Sequence, residues 1–152
     1  MNILALDQST NRTGWSVFDE NNKLIMSGVF ATKSKSIDKR IEELTDYCLY
    51  LTERFQVEHI VLEDVQSQKN PKTFKDLSML LGSLVKLSLD NKLTHTIVAP
   101  STWRSFLGIK TKPREVAKLG AKNYALVRYG VECKYDDESD SICIGTWYVL
   151  NR

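Results

Sequence analysis

The sequence predicts one α/β domain with a mixed five-stranded β-sheet flanked by helices. Three short apolar runs separated by polar turns occupy the first 30 residues, a pattern typical of an antiparallel meander. Further along, amphipathic segments with helical spacing alternate with short β-branched runs, which favours strands joined through helices. The 152 residues, 42% of them hydrophobic, suffice for one core, and no linker or repeat divides them. We therefore expect residues 1–152 to form a single domain.

The expected elements follow from these patterns in chain order. Ile3–Leu6, Thr13–Phe18 and Leu24–Phe30 are strand-like runs and should form the meander. Between Ser36 and Phe55, apolar residues recur every three or four positions, so this segment should be a helix with Ser36 as its cap. The remaining expected elements are a strand at Glu58–Val65, a helix at Thr73–Asp90, a third central strand at Thr94–Pro100, a helix at Pro113–Tyr129 after a basic loop, and a last helix at Asp136–Leu150.

Cysteine, histidine and targeting patterns argue against several classes of protein. Cys48, Cys133 and Cys143 are odd in number and lack CxxC spacing, so we expect free thiols of a reducing compartment rather than disulfides or a zinc site. His59 and His95 have no partner at metal-ligand spacing. The N-terminus has no basic signal-like region, and no apolar run approaches the length of a membrane span. We therefore expect a cytosolic protein with no membrane partner.

A basic segment lies within a chain whose formal net charge is only +2. Between Ser101 and Lys134, eight Lys and Arg residues accompany two Glu residues, which makes this segment a candidate surface for a polyanion. Arg114, Lys118 and Lys122 lie about one helical turn apart and can line one face toward phosphates, although an ordinary solvated helix face is the alternative. The candidate phosphate contacts are Arg104, Lys110, Lys112, Arg114, Lys118 and Lys122.

Four carboxylates occupy positions where burial would be costly without a compensating partner. Asp7 ends the first apolar run and Glu63 lies near the end of another. Asp137 and Asp140 share one face at the start of the last helix. Since ligand sites of α/β domains form outside the carboxyl ends of the central strands, the helix could bring this pair to Asp7 and Glu63. Each acid also has a structural alternative: a loop cap for Asp7, an edge-strand surface position for Glu63, and complementing the helix dipole for the pair.

A cluster of these four acids would require a compensating charge, because carboxylates in one place repel one another. Oxygen ligands favour magnesium or manganese over zinc. Two such ions about 3.5 to 4 Å apart can activate a water and stabilise the leaving oxygen in phosphodiester hydrolysis. The joint placement of the acids therefore indicates a two-metal hydrolase that needs no His or Cys nucleophile.

Three motifs resemble those of RuvC-type Holliday junction resolvases, over nearly the whole chain. ILALDQSTNRTGWSVF, beginning at Ile3, resembles the opening strand-turn-strand and places Asp7 at the family's catalytic aspartate. VLED places Glu63 at the family's glutamate, and DESDSICIG resembles the DxxDAxxI helix, with Asp137 and Asp140 at its closing pair. Overall size and the Lys- and Asn-rich composition resemble the small resolvases carried by bacteriophages of low-GC Gram-positive hosts.

The resemblance implies a ribonuclease H-like fold and magnesium-dependent nicking of two strands of a four-way DNA junction. Asp7, Glu63, Asp137 and Asp140 would be the catalytic and metal-ligating residues, with two Mg²⁺ ions per site, for which Mn²⁺ would substitute. A homodimer is also implied, and the helix Thr73–Asp90 suits it because it carries more apolar surface than one buried face requires. A core helix covered on both sides is the alternative for that helix. A phage-encoded protein of this kind would act in the cytoplasm of the bacterial host.

The chain departs from the family pattern at three places. Gln8-Ser9 replaces the Pro-Gly that commonly follows the first aspartate, which should alter the loop and leave the aspartate in place. Arg104 stands where one family lysine is expected. The loop Gln66–Lys72 is polar where the family often carries an aromatic wedge, with Phe74 the nearest aromatic residue. The candidates for a second family lysine are Lys112, Arg114 and Lys118.

Three other interpretations remain open at the level of the sequence. A ribonuclease H-like nuclease that trims ribosomal RNA precursors has a similar opening motif, although the basic helix and the apolar helix argue against it. An ATP-binding domain of the actin and sugar-kinase type also ends its first strand in an aspartate, but it needs two domains to enclose the nucleotide. A catalytically silent junction-binding module would have no use for four intact acids.

Overall fold

The first three strands form the predicted antiparallel meander. The computed structural model describes residues 1–152, and its first strands are β1 (Asn2–Asp7), β2 (Arg12–Phe18) and β3 (Leu24–Ala31). β1 and β3 both pair antiparallel with β2, and in the β1–β2 register Asp7 lies opposite Gly14. The last residue of β1 is therefore next to the beginning of β2.

Two parallel strands complete the sheet on the other side of β1. β4 (Val57–Glu63) pairs parallel with β1, and β5 (Thr94–Val98) pairs parallel with β4, so the strand order is β3-β2-β1-β4-β5. The prediction that the segment at residues 94–100 is a central strand is wrong, because the chain after β5 is helical and no strand covers its outer side. β4 ends at Glu63, so this acid is the last residue of its strand, as Asp7 is of β1.

Five helices flank the sheet, one more than predicted. The additional helix is a seven-residue segment in the predicted basic loop, which begins with Pro100 and buries Trp103. The predicted cap of the first helix is confirmed, because the Ser36 side chain accepts a hydrogen bond from the backbone N–H of Lys39. The helices are α1 (Ile37–Arg54), α2 (Pro71–Asp90), α3 (Pro100–Phe106), α4 (Arg114–Tyr129) and α5 (Asp136–Asn151).

The two faces of the sheet carry separate apolar clusters. α1 and α2 cover one face, where their leucines pack on residues such as Leu4 and Ile60. α5 covers the other face, with α3 and α4 outside or beside it. α5 lies unusually close to the strands because two glycines remove side chains from the contact. A Cβ on Gly14 would lie 1.7 Å from the Asp137 carbonyl oxygen, and one on Gly145 would lie 2.3 Å from the Phe18 ring.

The three cysteines agree with the expectation of free thiols. Cys48, Cys133 and Cys143 are all buried and unpaired. Burial raises the pKa of the Cys48 thiol to about 12 and that of Cys133 to about 11, which keeps both in the unreactive thiol form. None of the helices combines the length and the apolar character that crossing a bilayer would require.

Candidate active site

Two of the four predicted acids lie side by side at the carboxyl ends of neighbouring parallel strands. Leu6 of β1 is in register with Leu62 of β4, so Asp7 and Glu63 leave the sheet at the same level. Beyond β1, the Gln8 side chain continues the ladder: its Oε1 accepts from the Glu63 N–H over 3.2 Å, and its Nε2 donates to the Glu63 carbonyl oxygen. The Gln8 amide thus replaces a backbone pair and fixes the end of β4.

The other two acids approach from the first turn of α5. Asp137 lies against Gly14, where the missing side chain allows its carbonyl group to reach β2. Because Gly14 pairs with Asp7, this contact brings the start of α5 to the end of β1. The Asp140 side chain is 9% exposed and that of Asp137 is 20% exposed. Three separate segments of the chain therefore supply carboxylates to one edge of the sheet.

The electrostatics of the four carboxyl groups reflect this crowding. Burial raises the pKa of Asp7 well above its ordinary value, and the carboxylates of Glu63 and Asp140 raise it further. Burial and the Glu63 carboxylate raise the pKa of Asp140 to about 8, against the opposing influence of Arg104. Burial is also the main cause of the raised pKa values of Glu63 and Asp137. All four groups would hold a proton more readily than a free carboxyl, which is the behaviour of acids that lack a full counter-charge.

Two arginines supply part of the counter-charge. The Arg104 guanidinium is 3.7 Å from Asp140 Oδ2, and that of Arg12 is 3.8 Å from Asp137 Oδ2. The Arg12 guanidinium carbon also lies over the Tyr135 ring, 3.8 Å from its centre. The Arg104–Asp140 pair does not satisfy its members completely, since Asp140 Oδ1 and Arg104 Nε are buried without a hydrogen-bond partner. A buried, unpartnered carboxylate oxygen is costly unless a further ligand engages it.

The chemistry of this donor set fits a hard divalent cation. The converging groups are carboxylates, which magnesium and manganese prefer, and one of their oxygens is buried with no partner. No three of the side chains already surround a common point at metal-binding spacing. His59 offers no free nitrogen to this site, because its two ring nitrogens are hydrogen-bonded to Thr94 and Thr96 and its ring stacks on Tyr148.

The structure divides the six predicted phosphate-binding residues into two groups. Arg104 belongs to the acid cluster, Lys118 Nζ is 3.5 Å from Asp136 Oδ2, and Lys122 Nζ donates to the Lys134 carbonyl oxygen. The other three, Lys110, Lys112 and Arg114, are exposed. Lys110 and Lys112 border an open cleft of about 480 Å³ whose other polar side chains include Ser101 and Ser105.

Four residues around the acids were missed by the sequence analysis as parts of the site. Gly14 could have been found from its position inside a strand, where glycine often marks a close backbone approach. Trp103 lay in the segment expected to be a loop, although Pro100 three residues earlier is a typical first residue of a helix. Gln8 was noted only as a departure from the Pro-Gly pattern, and no local pattern distinguishes Arg12.

The predicted dimer helix is not covered on both sides. α2 buries Leu80, Leu84 and Leu87 against the sheet, whereas Phe74 and Met79 are exposed. The alternative of a doubly covered core helix is therefore wrong. A groove of about 670 Å³ lies between α1 and α2, and its apolar lining residues are Ile41, Leu49, Met79 and Leu87.

A family model matches nearly the whole chain, and individual relatives match a little more than half of it. The model of the family described as crossover junction endodeoxyribonuclease RuvC matches residues 3–144. The RuvC proteins of Ehrlichia chaffeensis and Aliarcobacter butzleri are similar, with 33% identity over 95 residues and 29% over 87. These alignments cover 60% and 55% of this chain and 60% and 56% of the relatives, so the chain spans little more than half of the length of these relatives.

Solved structures are similar in fold. Thermus thermophilus RuvC in complex with Holliday junction substrate superposes with a TM-score of 0.78 at 14% identity, covering 99% of this chain and 94% of that one. The Fowlpox virus resolvase with substrate Holliday junction DNA gives a TM-score of 0.65 at 16% identity, covering 99% and 98%. At such identities the likeness concerns the fold, and it agrees with the predicted α/β architecture, whose mixed five-stranded sheet the strand order shows directly.

Proposed function

This chain belongs to the RuvC family of crossover junction endodeoxyribonucleases, and on that premise we propose that it is a dimeric, structure-selective endonuclease that resolves Holliday junctions with paired nicks. The observation that carries the proposal is the convergence of Asp7, Glu63, Asp137 and Asp140 from three segments on one edge of the sheet. Two proteins of similar fold are described with Holliday junction DNA, which supports the same class of substrate here.

The four acids would hold two magnesium ions, with manganese as a substitute. Bound between these carboxylates, the ions would supply the positive charge that activates a water and stabilises the leaving oxygen of the phosphodiester. Asp140 would contribute its unpartnered Oδ1. Glu63 would contribute Oε1, because its Oε2 already accepts a hydrogen bond from Trp103 Nε1. Arg12 and Arg104 would limit the repulsion among the acids and direct the phosphate toward them.

The exposed basic residues beside the site would contact the DNA backbone. Lys110, Lys112 and Arg114 lie between α3 and the first turn of α4, on the side of the chain that also supplies Arg104 to the acids. Such contacts position a duplex arm without reading its sequence and weaken steeply with salt. Lys118 and Lys122 would join them only by exchanging their present partners for phosphates.

A second copy of the chain would cover α2. The exposed Phe74 and Met79 and the groove between α1 and α2 give that helix an apolar surface outside the core. Two copies related by a two-fold axis would present two acid clusters to the two strands of a junction that has approximate two-fold symmetry. The proposed dimer therefore accounts for paired cutting as well as for the apolar surface.

The competing hypothesis of ribosomal RNA trimming is not favoured, because the family match and the curated relatives are all crossover junction endonucleases. Bacteriophage origin, and hence action in the cytoplasm of a bacterial host, stays a prediction from composition. The relatives described above come from bacteria.

The test is cleavage of a labelled four-way junction beside a linear duplex, a fork and an RNA-containing duplex. We expect symmetric paired nicks in the junction that require Mg²⁺ and disappear with EDTA. Asp7→Asn should lower the cleavage rate by at least about 1,000-fold while junction binding is retained, since the variant removes the charge that the metal requires. Cleavage of RNA alone would transfer the proposal to the RNA-processing class, and binding with no cleavage would refute an enzymatic function.

A further inference from the structure

Glu63 is held at three points by only two side chains. Gln8 bonds both its backbone N–H and its carbonyl oxygen, as described above. The third contact reaches the carboxylate, where Trp103 Nε1 donates to Glu63 Oε2 over 2.8 Å. Both strand-end acids face the same edge, but these contacts concern Glu63 and leave Asp7 without equivalent partners.

Both residues that hold Glu63 are themselves immobilised. Trp103 is fully buried in the apolar cluster on the α5 face of the sheet. Gln8 is 9% exposed, with both ends of its amide engaged by the backbone of β4. An indole buried in this way has one polar atom and few accessible rotamers, so its N–H position is fixed by packing rather than by the carboxylate.

The direction of the hydrogen bond from Trp103 to Glu63 suits a metal-ligating role of Glu63. An indole N–H can only donate, so Oε2 must accept, and the carboxylate must present it in one orientation. A donor of no net charge orients the group without neutralising it, whereas an arginine at the same place would compete with a cation. Oε1 is then the oxygen that remains for a ligand. Such outer hydrogen bonds orient ligating groups in metal sites generally.

We propose that Trp103 and Gln8 are positioning residues that fix the Glu63 carboxylate in the orientation required for divalent-metal binding, an inference that rests on the proposed function. Trp103 fixes the orientation of the Glu63 carboxylate, and Gln8 fixes the position of the Glu63 backbone at the end of β4. Their effect should therefore be seen in metal affinity and in the rate of the chemical step, and not in the binding of DNA.

Removal of a single N–H tests the role of Trp103. Replacement of Trp103 with β-(3-benzothienyl)alanine puts sulfur in place of the N–H and keeps the shape of the ring system. Mn²⁺ binding to the DNA-free protein, measured by calorimetry, should weaken by about 10-fold to 100-fold. At saturating metal, kcat for the junction should fall while KM stays within about twofold, because the basic surface is unaffected.

The chain offers a matched control in Trp15. This residue is also buried, at 7% exposure, but its Nε1 has no hydrogen-bond partner and it packs on the opposite face of the sheet. The same analogue at position 15 removes a buried N–H on the face of the sheet away from Glu63, so Mn²⁺ affinity should remain that of the wild type. The pair of analogues separates loss of the hydrogen bond from any general effect of the substitution.

Gln8→Met provides an independent variant, since it keeps the length of the side chain and removes both of its hydrogen bonds to β4. It should also weaken Mn²⁺ binding by about 10-fold, which excludes a role confined to the packing around Trp103. The Trp103 analogue could lower the thermal midpoint of unfolding more than the Trp15 analogue does. In that case Mn²⁺ binding by Gln8→Met decides the test, because the Gln8 side chain lies outside the apolar clusters.

The outcomes distinguish this inference from the proposed function. A wild-type protein that neither binds Mn²⁺ nor cuts a junction refutes the proposed function and the inference with it. A wild-type protein that does both, while the Trp103 analogue and Gln8→Met bind Mn²⁺ as tightly as it does, overturns the inference alone. Weakened metal binding in both variants, with the Trp15 analogue unchanged, establishes the positioning role.

Discussion

The two faces of the sheet are covered by helices that pack in different ways. α5 buries nine of its 16 residues, several of them small, and lies so close to β2 that Gly14 has no room for a side chain. α2, with 20 residues, buries four, and three of those are leucines. Phe74 and Met79 on α2 remain exposed, and Gly82 has no neighbouring atom that a Cβ would meet.

This difference separates a face suited to chemistry from a face suited to assembly. Close packing on both sides of α5 fixes the position of its first turn, which is what carboxylates that share a metal require. α2 needs only one apolar stripe to attach it to the sheet, so its outer side is available for a second copy. Matched substitutions on the two faces should therefore have unequal effects on stability and on function.

The largest effect is expected from Gly14→Ala. The added Cβ would collide with the Asp137 carbonyl group, a backbone atom that cannot rotate away, so the start of α5 must shift. We expect a loss of about 3 kcal/mol in the free energy of unfolding and at least a 100-fold loss of junction cleavage. Urea unfolding and single-turnover cleavage measure the two quantities.

Gly82→Ala is the matched change on the other face. With open space at this position of α2, alanine should stabilise the isolated chain by about 0.5 to 1 kcal/mol through its higher helix propensity. Because Gly82 lines the groove that a second copy would cover, the matched readout is Mn²⁺ binding, which Gly82→Ala should retain. Equal losses of unfolding free energy and of Mn²⁺ binding in Gly14→Ala and Gly82→Ala would show that the packing difference between the faces has no functional meaning.

The next prediction concerns the assembly face. Met79→Glu places a carboxylate in the groove between α1 and α2, where a second copy would bury it. Because an unpaired buried charge costs several kcal/mol, dimer association should weaken by at least about 100-fold. The monomer should remain folded, bind Mn²⁺ and lose coordinated cutting of the two strands.

Leu119→Glu serves as the control for that experiment. Leu119 is also an exposed apolar residue, 65% accessible, but it lies on α4 and outside the groove. Sedimentation equilibrium should show a dimer for Leu119→Glu and a monomer for Met79→Glu. A dimer that survives Met79→Glu would exclude this groove as the interface.

Features specified by a pattern within one short segment could be predicted from the sequence, whereas features that depend on contacts between distant segments could not. Helices α1 and α2 follow from apolar spacing within one segment, and Asp7 and Glu63 were singled out because they end apolar runs. The edge position of β5 depends on which strands pair, which no local period encodes. α3 was not predicted, because seven residues are too few to establish a helical period.

Within the candidate site, the acids could be proposed from the sequence, but the residues that hold them in position could not. Trp103 and Glu63 are 40 positions apart, so only the folded chain reveals their hydrogen bond. Gly14 is different, because a glycine inside a strand is a local sign of close approach. The sequence therefore singled out four acids that the fold brings to one end of the sheet, and it missed most of the residues that contact them.

A smaller effect is expected in the pH dependence of the metal-free protein. The pKa of Asp140 is raised to about 8 in the folded state, against about 3.9 for an unfolded aspartate. The folded state therefore binds more protons between these values, and stability should fall as pH rises, by at most about 1.4 kcal/mol per pH unit for this group. Asp140→Asn should flatten that decline in urea unfolding, and Mg²⁺ should stabilise the wild type more at pH 8 than at pH 5. An unchanged slope in Asp140→Asn would mean that the Asp140 carboxylate is compensated in the folded protein.

The smallest effect belongs to the other end of the same helix, where α5 contributes Tyr148 to the stack on His59. Burial lowers the pKa of His59 to about 4, whereas an unfolded histidine titrates near 6.5, so the unfolded state binds the extra proton between these values. Stability should therefore fall as pH decreases from about 6.5 to 4, the reverse of the Asp140 effect. The sign distinguishes the two ends of α5, since stability falls when Asp140 at the first end loses its proton and when His59 of β4, packed against the other end, gains one. In an Asp140→Asn background, His59→Gln should remove the acid-side loss of stability, and persistence of that loss would assign it to other groups.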